Sequence, residues 1–218
     1  MTQNGKAENA SESFVPFWVA SGFAPVRRFC IFSVIMIESV CCLKNKMQEK
    51  FLKRSNFKLI LTDLENPSFS VEGEHKIYKS DAGVRHCVGC FGCWLKTPGE
   101  CLFKDGSAAF AKDFGRCSQL IIISRCVYGD VSPFIKKMQD RALAFALPFF
   151  LIKENEMHHK LRYSGGFEIS ALFYGGNITD EEKATARELI SRNALNYGAK
   201  VKDILFFKDA KEIEGKAL

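Results

Sequence analysis

The sequence predicts an α/β fold built on a doubly wound parallel sheet, and three observations carry that expectation. Short apolar, strand-like runs alternate with helix-like segments between Phe57 and Phe207, the order that builds βαβ units. The run Leu120-Ile-Ile-Ile-Ser124 is apolar almost throughout, as a strand covered on both faces must be. The longest helix-like segment carries its own punctuation: Thr179 with Glu182 three residues on, then Gly198. That is a capping box followed by a glycine stop.

Taken in order, residues 57–61 (Phe-Lys-Leu-Ile-Leu) read as a buried first strand and residues 74–78 as a short second one. A cysteine-bearing loop follows. Residues 107–117 read as a helix with Ser107 as its N-cap. The central strand over residues 120–124 comes next, then a helix over residues 133–146 with Ser132 as cap and Pro133 in its first turn. Residues 167–173 form the next strand, residues 179–197 the long helix and residues 202–207 the last strand.

Residues 1–55 differ from the rest and read as an atypical extension, disordered or a peripheral helix; residues 56–218 read as the domain. Residues 1–13 are polar. Residues 14–43 are apolar and aromatic, but Glu38 interrupts the run short of a membrane span, and no Ala-x-Ala cleavage site follows. Membrane association is not expected. Met47 opens a sensible start for the domain about ten residues before the first strand.

The chain has 218 residues, 47% of them apolar and 26% charged, as in an ordinary globular protein. Twenty Phe favour an aromatic-rich core. The net charge of +6 comes without a block of Lys/Arg, so no nucleic-acid partner is expected, while a small anionic ligand is compatible. Nine Cys, an odd and unevenly placed set, give no disulfide framework and suggest a reducing, cytoplasmic setting.

Two constellations carry chemistry. Cys87, Cys90, Cys93 and Cys101 follow a C-x2-C-x2-C-x7-C spacing, the last arriving after a Thr97-Pro98-Gly99 turn. Such spacing suits an iron–sulfur cluster, a four-thiolate zinc site or free redox-active thiols. The second is a pair of turns at strand carboxyl ends, where open α/β sheets bind ligands. One is Ser124-Arg-Cys-Val-Tyr-Gly-Asp-Val-Ser-Pro133; the other is Tyr174-Gly-Gly-Asn-Ile-Thr179. Together they offer hydroxyls, an aromatic ring, close backbone approach at glycines and helix N-termini to a flat heteroaromatic ring or an anion. Cys126 beside Arg125 is a candidate reactive thiol. His158 and His159, being adjacent, point apart and make no two-His metal site; a solvated loop is expected there.

The run Cys-Val-Gly-Cys-Phe-Gly-Cys-Trp-Leu-Lys-Thr-Pro-Gly-Glu-Cys resembles the flavodoxin-like FMN reductases, closest to the iron–sulfur flavoprotein branch. So do Ile-Ile-Ile-Ser-Arg-Cys-Val-Tyr-Gly-Asp-Val-Ser-Pro-Phe-Ile-Lys, Leu-Pro-Phe-Phe and Glu-Met-His-His. The resemblance spans residues 57–218. It implies a five-stranded parallel sheet in order 2-1-3-4-5, FMN as cofactor, NAD(P)H as reductant, and a homodimer or tetramer. Ser124, Arg125, Val127, Tyr128 and Gly129 would border one side of the flavin, and Tyr174, Gly175 and Gly176 the other. Cys87, Cys90, Cys93 and Cys101 would hold a [4Fe-4S] cluster.

The implied activity is FMN-dependent electron transfer from NAD(P)H to a small-molecule redox acceptor. The chain departs from the family after its first strand. Leu61-Thr-Asp-Leu-Glu-Asn-Pro-Ser-Phe-Ser70 replaces the Gly-containing phosphate loop, and the first helix is missing or shortened. Asp63 and Glu65 would repel a phosphate there, and Arg125 is the candidate anchor in its place. The alternative function is a non-catalytic, redox-responsive or metal-binding module that has lost FMN binding.

Overall fold

The computed structural model describes residues 52–80, 83–214, 216 and 218. The expected extension lies outside the described residues as far as Phe51. The described chain opens with β1 (Leu52–Lys53), which pairs in parallel with the short β7 (Tyr163–Ser164). Arg54 pins this edge. Its Nε donates to the Gly165 carbonyl at 2.8 Å, its Nη1 to the Gly115 carbonyl at 2.9 Å, and its guanidinium lies 4.1 Å from the Phe167 ring centroid.

The main sheet consists of β2 (Lys58–Thr62), β3 (His75–Tyr78), β4 (Gln119–Arg125), β8 (Glu168–Tyr174) and β9 (Lys200–Phe207). Its order is β3-β2-β4-β8-β9 with every neighbour parallel. That is the flavodoxin-like 2-1-3-4-5 order, as expected. β4 sits in the middle because Leu120–Ile123 presents branched apolar side chains to both faces.

Alternate residues sort to the two faces. Leu59, Leu61, Leu120, Ile122, Ile169, Ala171 and Phe173 face one cluster, into which three helices pack. These are α2 (Phe110–Arg116), α3 (Pro133–Arg141) and α4 (Asp180–Tyr197). Phe114 is fully buried at the centre and meets Phe145, Phe167 and Tyr197 edge to face, a geometry aromatic rings favour. Ile60, Ile121, Ile123 and Leu172 face the other side, where Leu64, Phe69, Val71, Ile213 and Leu218 cover them. Between β2 and β3 the chain forms no helix, so extended chain and the tail seal that face.

Several local expectations need correction. Helix α2 starts at Phe110 rather than at Ser107, whose N–H and hydroxyl both donate to Asp105, and the residue at its N-cap is Ala109, with no side-chain capping bond. Ser132 precedes α3 but makes no capping bond. Helix α3 ends at Arg141, tightens into a 3-10 turn over Ala142–Phe145 and gives way to strand at Ala146. Pro148 holds Leu147, the residue before it, in the extended backbone of that strand. The Thr179 capping box and the left-handed Gly198 stop form as expected.

Residues 146–161 were not expected to be strand after Ala146. They form an antiparallel hairpin of β5 (Ala146–Lys153) and β6 (Glu156–Leu161). Glu154 (φ 52°) and Asn155 (φ 62°) make its two-residue turn, the doubly left-handed kind that matches strand twist. Among the described residues, no helix is long and apolar enough to cross a membrane.

Candidate functional site

The carboxyl rim of the sheet brings the two expected turns together. Arg125 and Tyr174 are register partners on β4 and β8, so both turns leave the sheet at one level. In the first turn Val127 and Asp130 exchange both backbone hydrogen bonds, at 2.9 and 3.0 Å, around Tyr128 and Gly129. Tyr128 (φ 52°) and Gly129 (φ 80°) are both left-handed. Tyr128 therefore stands at the tip, 89% exposed. Gly129 is obligatory for two reasons: its φ, and its approach to α4, where an added Cβ would lie 2.7 Å from Thr185 Cβ.

The other expected residues occupy different roles. Ser124 is buried; its hydroxyl accepts from the Ser132 N–H at 2.8 Å and donates to the Arg125 carbonyl at 2.9 Å. It therefore shapes the turn from beneath. Val127 is half-buried, and the Arg125 side chain is exposed. In the second turn the Gly175 N–H donates to the Phe207 carbonyl at 3.1 Å, and Gly176 is exposed.

Asp63 organises the rim, which the sequence did not reveal. One carboxylate oxygen accepts from the Arg125 N–H at 2.9 Å and the other from the Tyr174 hydroxyl at 3.0 Å. One side chain thus ties β2, β4 and β8 at the switch point of the strand order. Burial, followed by the charge and hydrogen bond of Asp63, holds the Tyr174 phenol well above its ordinary pKa. Asp63 directly follows the first strand, and that position was the available signal.

Tyr128 and Gly176 stand exposed at this rim. Most of the turn's amides, in contrast, are spent internally. Arg125 N–H goes to Asp63, Cys126 N–H to the Tyr174 carbonyl, Val131 N–H to Asp130 and Ser132 N–H to Ser124. Past β2 the Thr62 hydroxyl is buried and accepts from the Leu64 N–H, with Asp63 beside it. No phosphate cradle exists there.

Cys126 is not the activated thiol that its neighbour Arg125 suggested. Burial raises its pKa, and the nearby Glu182 and Asp130 carboxylates add to the rise against a hydrogen bond from the Gly129 N–H. A raised thiol pKa means less thiolate and less reactivity.

The cysteine loop folds against the 3-10 turn and the end of α3. A short helix, α1 (Gly92–Leu95), carries Cys93 and Trp94. The Thr97–Glu100 turn forms as expected, closed by the Glu100 N–H to the Thr97 carbonyl at 2.9 Å, with Gly99 at φ 89°. Arg141 clamps the loop from below. Its Nη1 donates to Asp105 Oδ2 at 2.8 Å and to the Arg85 carbonyl at 2.8 Å, and its Nη2 to Asp105 Oδ1 at 3.1 Å.

Cys87, Cys90, Cys93 and Cys101 line one cavity of about 20 Å³, together with Phe103, Arg141 and Leu143. Cys87 and Cys90 are exposed, Cys93 and Cys101 half-buried, and all four are free thiols. Burial, then the neighbouring Cys101, Cys87 and Cys90, push the Cys93 pKa up. The cavity has room for about one water-sized body, not for a four-iron cube. Among the described residues no three Cys, His, Asp or Glu side chains stand where they would hold a metal ion. The arrangement does not fit the expected [4Fe-4S] cluster.

The two histidines lie on a strand rather than in a solvated loop, and they do point apart. His158 is buried with Nδ1 2.9 Å from Asn196 Oδ1, while His159 packs outward beside Trp94 and Phe150.

No family model matches the chain, and no curated protein matches it. Among solved structures, it is similar to general stress protein 14 of Treponema denticola, determined in complex with FMN. The TM-score is 0.42 and the identity 12%, over 73% of this chain and 92% of that one. The fold assignment stands on the strand order itself.

Proposed function

We propose that this chain is a flavin-dependent oxidoreductase that takes a hydride from NAD(P)H and passes electrons to a small-molecule acceptor. The observation that carries this reading is the paired rim. Turns from β4 and β8 leave the sheet at register partners Arg125 and Tyr174, with an exposed aromatic ring on one and a Gly-Gly backbone on the other. Sheets of this order bind ligands at that switch point.

FMN supplies the hydride-accepting chemistry when bound. The chain's own residues do the rest. Tyr128 offers a π face for stacking, and Gly175 and Gly176 admit a ring edge close to the backbone. Asp63 keeps the three strand ends in register. Arg125 is the one cation of this turn and serves the phosphate in place of a loop. The visible spectrum tests the reading. Purified protein titrated with FMN should quench flavin fluorescence to saturation near one flavin per chain, and the complex should oxidise NADH or NADPH. Protein that stays colourless and leaves added FMN unquenched would end the oxidoreductase reading.

A second reading is favoured by the internal pairing of the rim amides. Here the domain is a redox-responsive thiol module without bound flavin, and its working groups are Cys87, Cys90, Cys93 and Cys101. The same titration separates the two, because this module leaves FMN unbound while its exposed thiols still react.

A further inference from the structure

Arg141 carries a donor that its clamp on Asp105 leaves unused. The side chain is 1% exposed. Its Nη1 and Nη2 donate to Asp105 and to the Arg85 and Phe103 carbonyls. Its Nε is buried and has no hydrogen-bond partner. A buried N–H without an acceptor is costly, and in a folded protein it calls for an explanation. Arg141 lines the same cavity as the four thiols. Of these, Cys101 is the one in electrostatic contact with its guanidinium.

The cavity selects by size. Its volume of about 20 Å³ admits a water-sized body. Cys87 and Cys90 are exposed at its mouth, and Cys93 and Cys101 are half-buried. Hydrogen peroxide is little larger than water, accepts hydrogen bonds from a guanidinium and is attacked by thiolates. A peroxide that carries a bulky organic group is too wide to enter. The backbone brings the two inner thiols together. The turn at Thr97–Glu100 reverses the chain, and the Gly99 N–H donates to the Cys93 carbonyl at 3.0 Å. Cys93 feels Cys101 more strongly than it feels Cys87 or Cys90. Trp94 braces α1 from outside. Its Nε1 donates to the Ala146 carbonyl at 3.0 Å, and its ring lies 5.1 Å from that of His159 on the hairpin. The hairpin is otherwise uncovered there, with Ile152 72% and Met157 66% exposed.

We propose that Cys93 and Cys101 are a dithiol that reduces hydrogen peroxide in this cavity, with the Arg141 Nε–H as the donor that receives it. The proposal rests on the thiol-module reading and names its substrate; it needs neither flavin nor cluster. The Cys101 thiolate attacks one peroxide oxygen and the O–O bond breaks. The departing hydroxide takes up the proton that Cys101 lost on ionising and leaves as water. Cys101 is now a sulfenic acid, its sulfur oxidised by two electrons. The Cys93 sulfur attacks the Cys101 sulfur, the S–O bond breaks, and the hydroxyl leaves as water with the Cys93 proton. Burial holds the Cys93 pKa up, so this thiol keeps its proton for that step. One peroxide and two thiols thus give one disulfide and two waters. Two equivalents of a small external thiol restore the dithiol by exchange. The Arg141 donor faces the oxygen on which negative charge develops, as fixed donors do at other developing oxyanions.

The test uses the full chain, reduced and freed of excess thiol, with no flavin added. Hydrogen peroxide should remove two thiols for each peroxide consumed, and peptide mapping without reductant should join Cys93 to Cys101. The rate should exceed that of free cysteine at the same pH by roughly 100-fold, the worth of one positioned donor, and cumene hydroperoxide should gain no such advantage. Cys93→Ser should stop at a sulfenic acid on Cys101, trapped by dimedone. Cys101→Ser should bring the rate down to that of free cysteine. A wild-type rate no better than free cysteine overturns the proposal. So does a disulfide that leaves out Cys101, or an equal advantage for both peroxides. The thiol-module reading survives such a failure where diamide still closes a disulfide among the four thiols, and falls with it where diamide closes none. Should Cys101→Ser misfold, the wild-type peptide map and the comparison of peroxides decide.

Discussion

Asp105→Asn is the substitution whose effect the structure defines most fully. The Asp105 carboxylate accepts from two Arg141 nitrogens, from the Arg85 N–H at 3.1 Å, and from the N–H and hydroxyl of Ser107 at 3.0 and 2.8 Å. The Arg141 side chain is 1% exposed and that of Asp105 12%. Removing one partner of a buried ion pair costs about 3–5 kcal/mol, because the other charge is left unpaired. The slight exposure of Asp105 admits water to the orphaned guanidinium, so about 3 kcal/mol is expected. Urea denaturation at pH 7 measures it, at constant m.

The acid limb supplies a second reading of the same bond. Burial by itself raises the Asp105 pKa. The hydrogen bonds from Arg141, Arg85 and Ser107 outweigh it and hold the carboxyl well below the usual range. A depressed pKa stabilises the fold fully above the unfolded value of about 4, and the contribution is lost as the pH falls through the folded one. The wild type should therefore lose stability below about pH 4 more steeply than Asp105→Asn. A variant less than about 1 kcal/mol weaker at pH 7, with an unaltered acid slope, would refute the clamp.

Four further outcomes follow from particular contacts. Riboflavin should bind only about fivefold more weakly than FMN, since the loop after β2 offers the phosphate nothing and Arg125 alone serves it, and Arg125→Ala should erase that difference by weakening FMN alone by about fivefold; fluorescence titration reads both. Gly129→Ala should destabilise by about 2 kcal/mol or more in urea melts, from its left-handed φ and the 2.7 Å approach to Thr185. Burial pushes the Cys117 thiol up to about 12, so in native protein at pH 8 a thiol reagent should label Cys87 and Cys90 and spare Cys117 until the chain unfolds. Thr179→Ala should cost about 1 kcal/mol by removing the capping box of α4, read as a lowered melting temperature.

What was legible in the sequence was what neighbouring residues decide among themselves. Branched apolar runs place β2, β4 and β8, and Thr179, Glu182 and Gly198 bound α4. The Thr97-Pro98-Gly99 turn closes on itself. These signals act within a few residues, so composition and spacing reveal them. Other features exist only once the sheet has formed. Asp63 reaches Tyr174 across 111 residues and Arg141 reaches Asp105 across 36, and neither pairing leaves a periodic trace. Helix α3 stops at Arg141, five residues short of its sequence pattern, and the face that β5 and β6 turn outward depends on which side α4 occupies. Local preferences settle the elements of this protein, and packing between distant elements settles which side chains meet at its rim, around its thiols and on its uncovered hairpin.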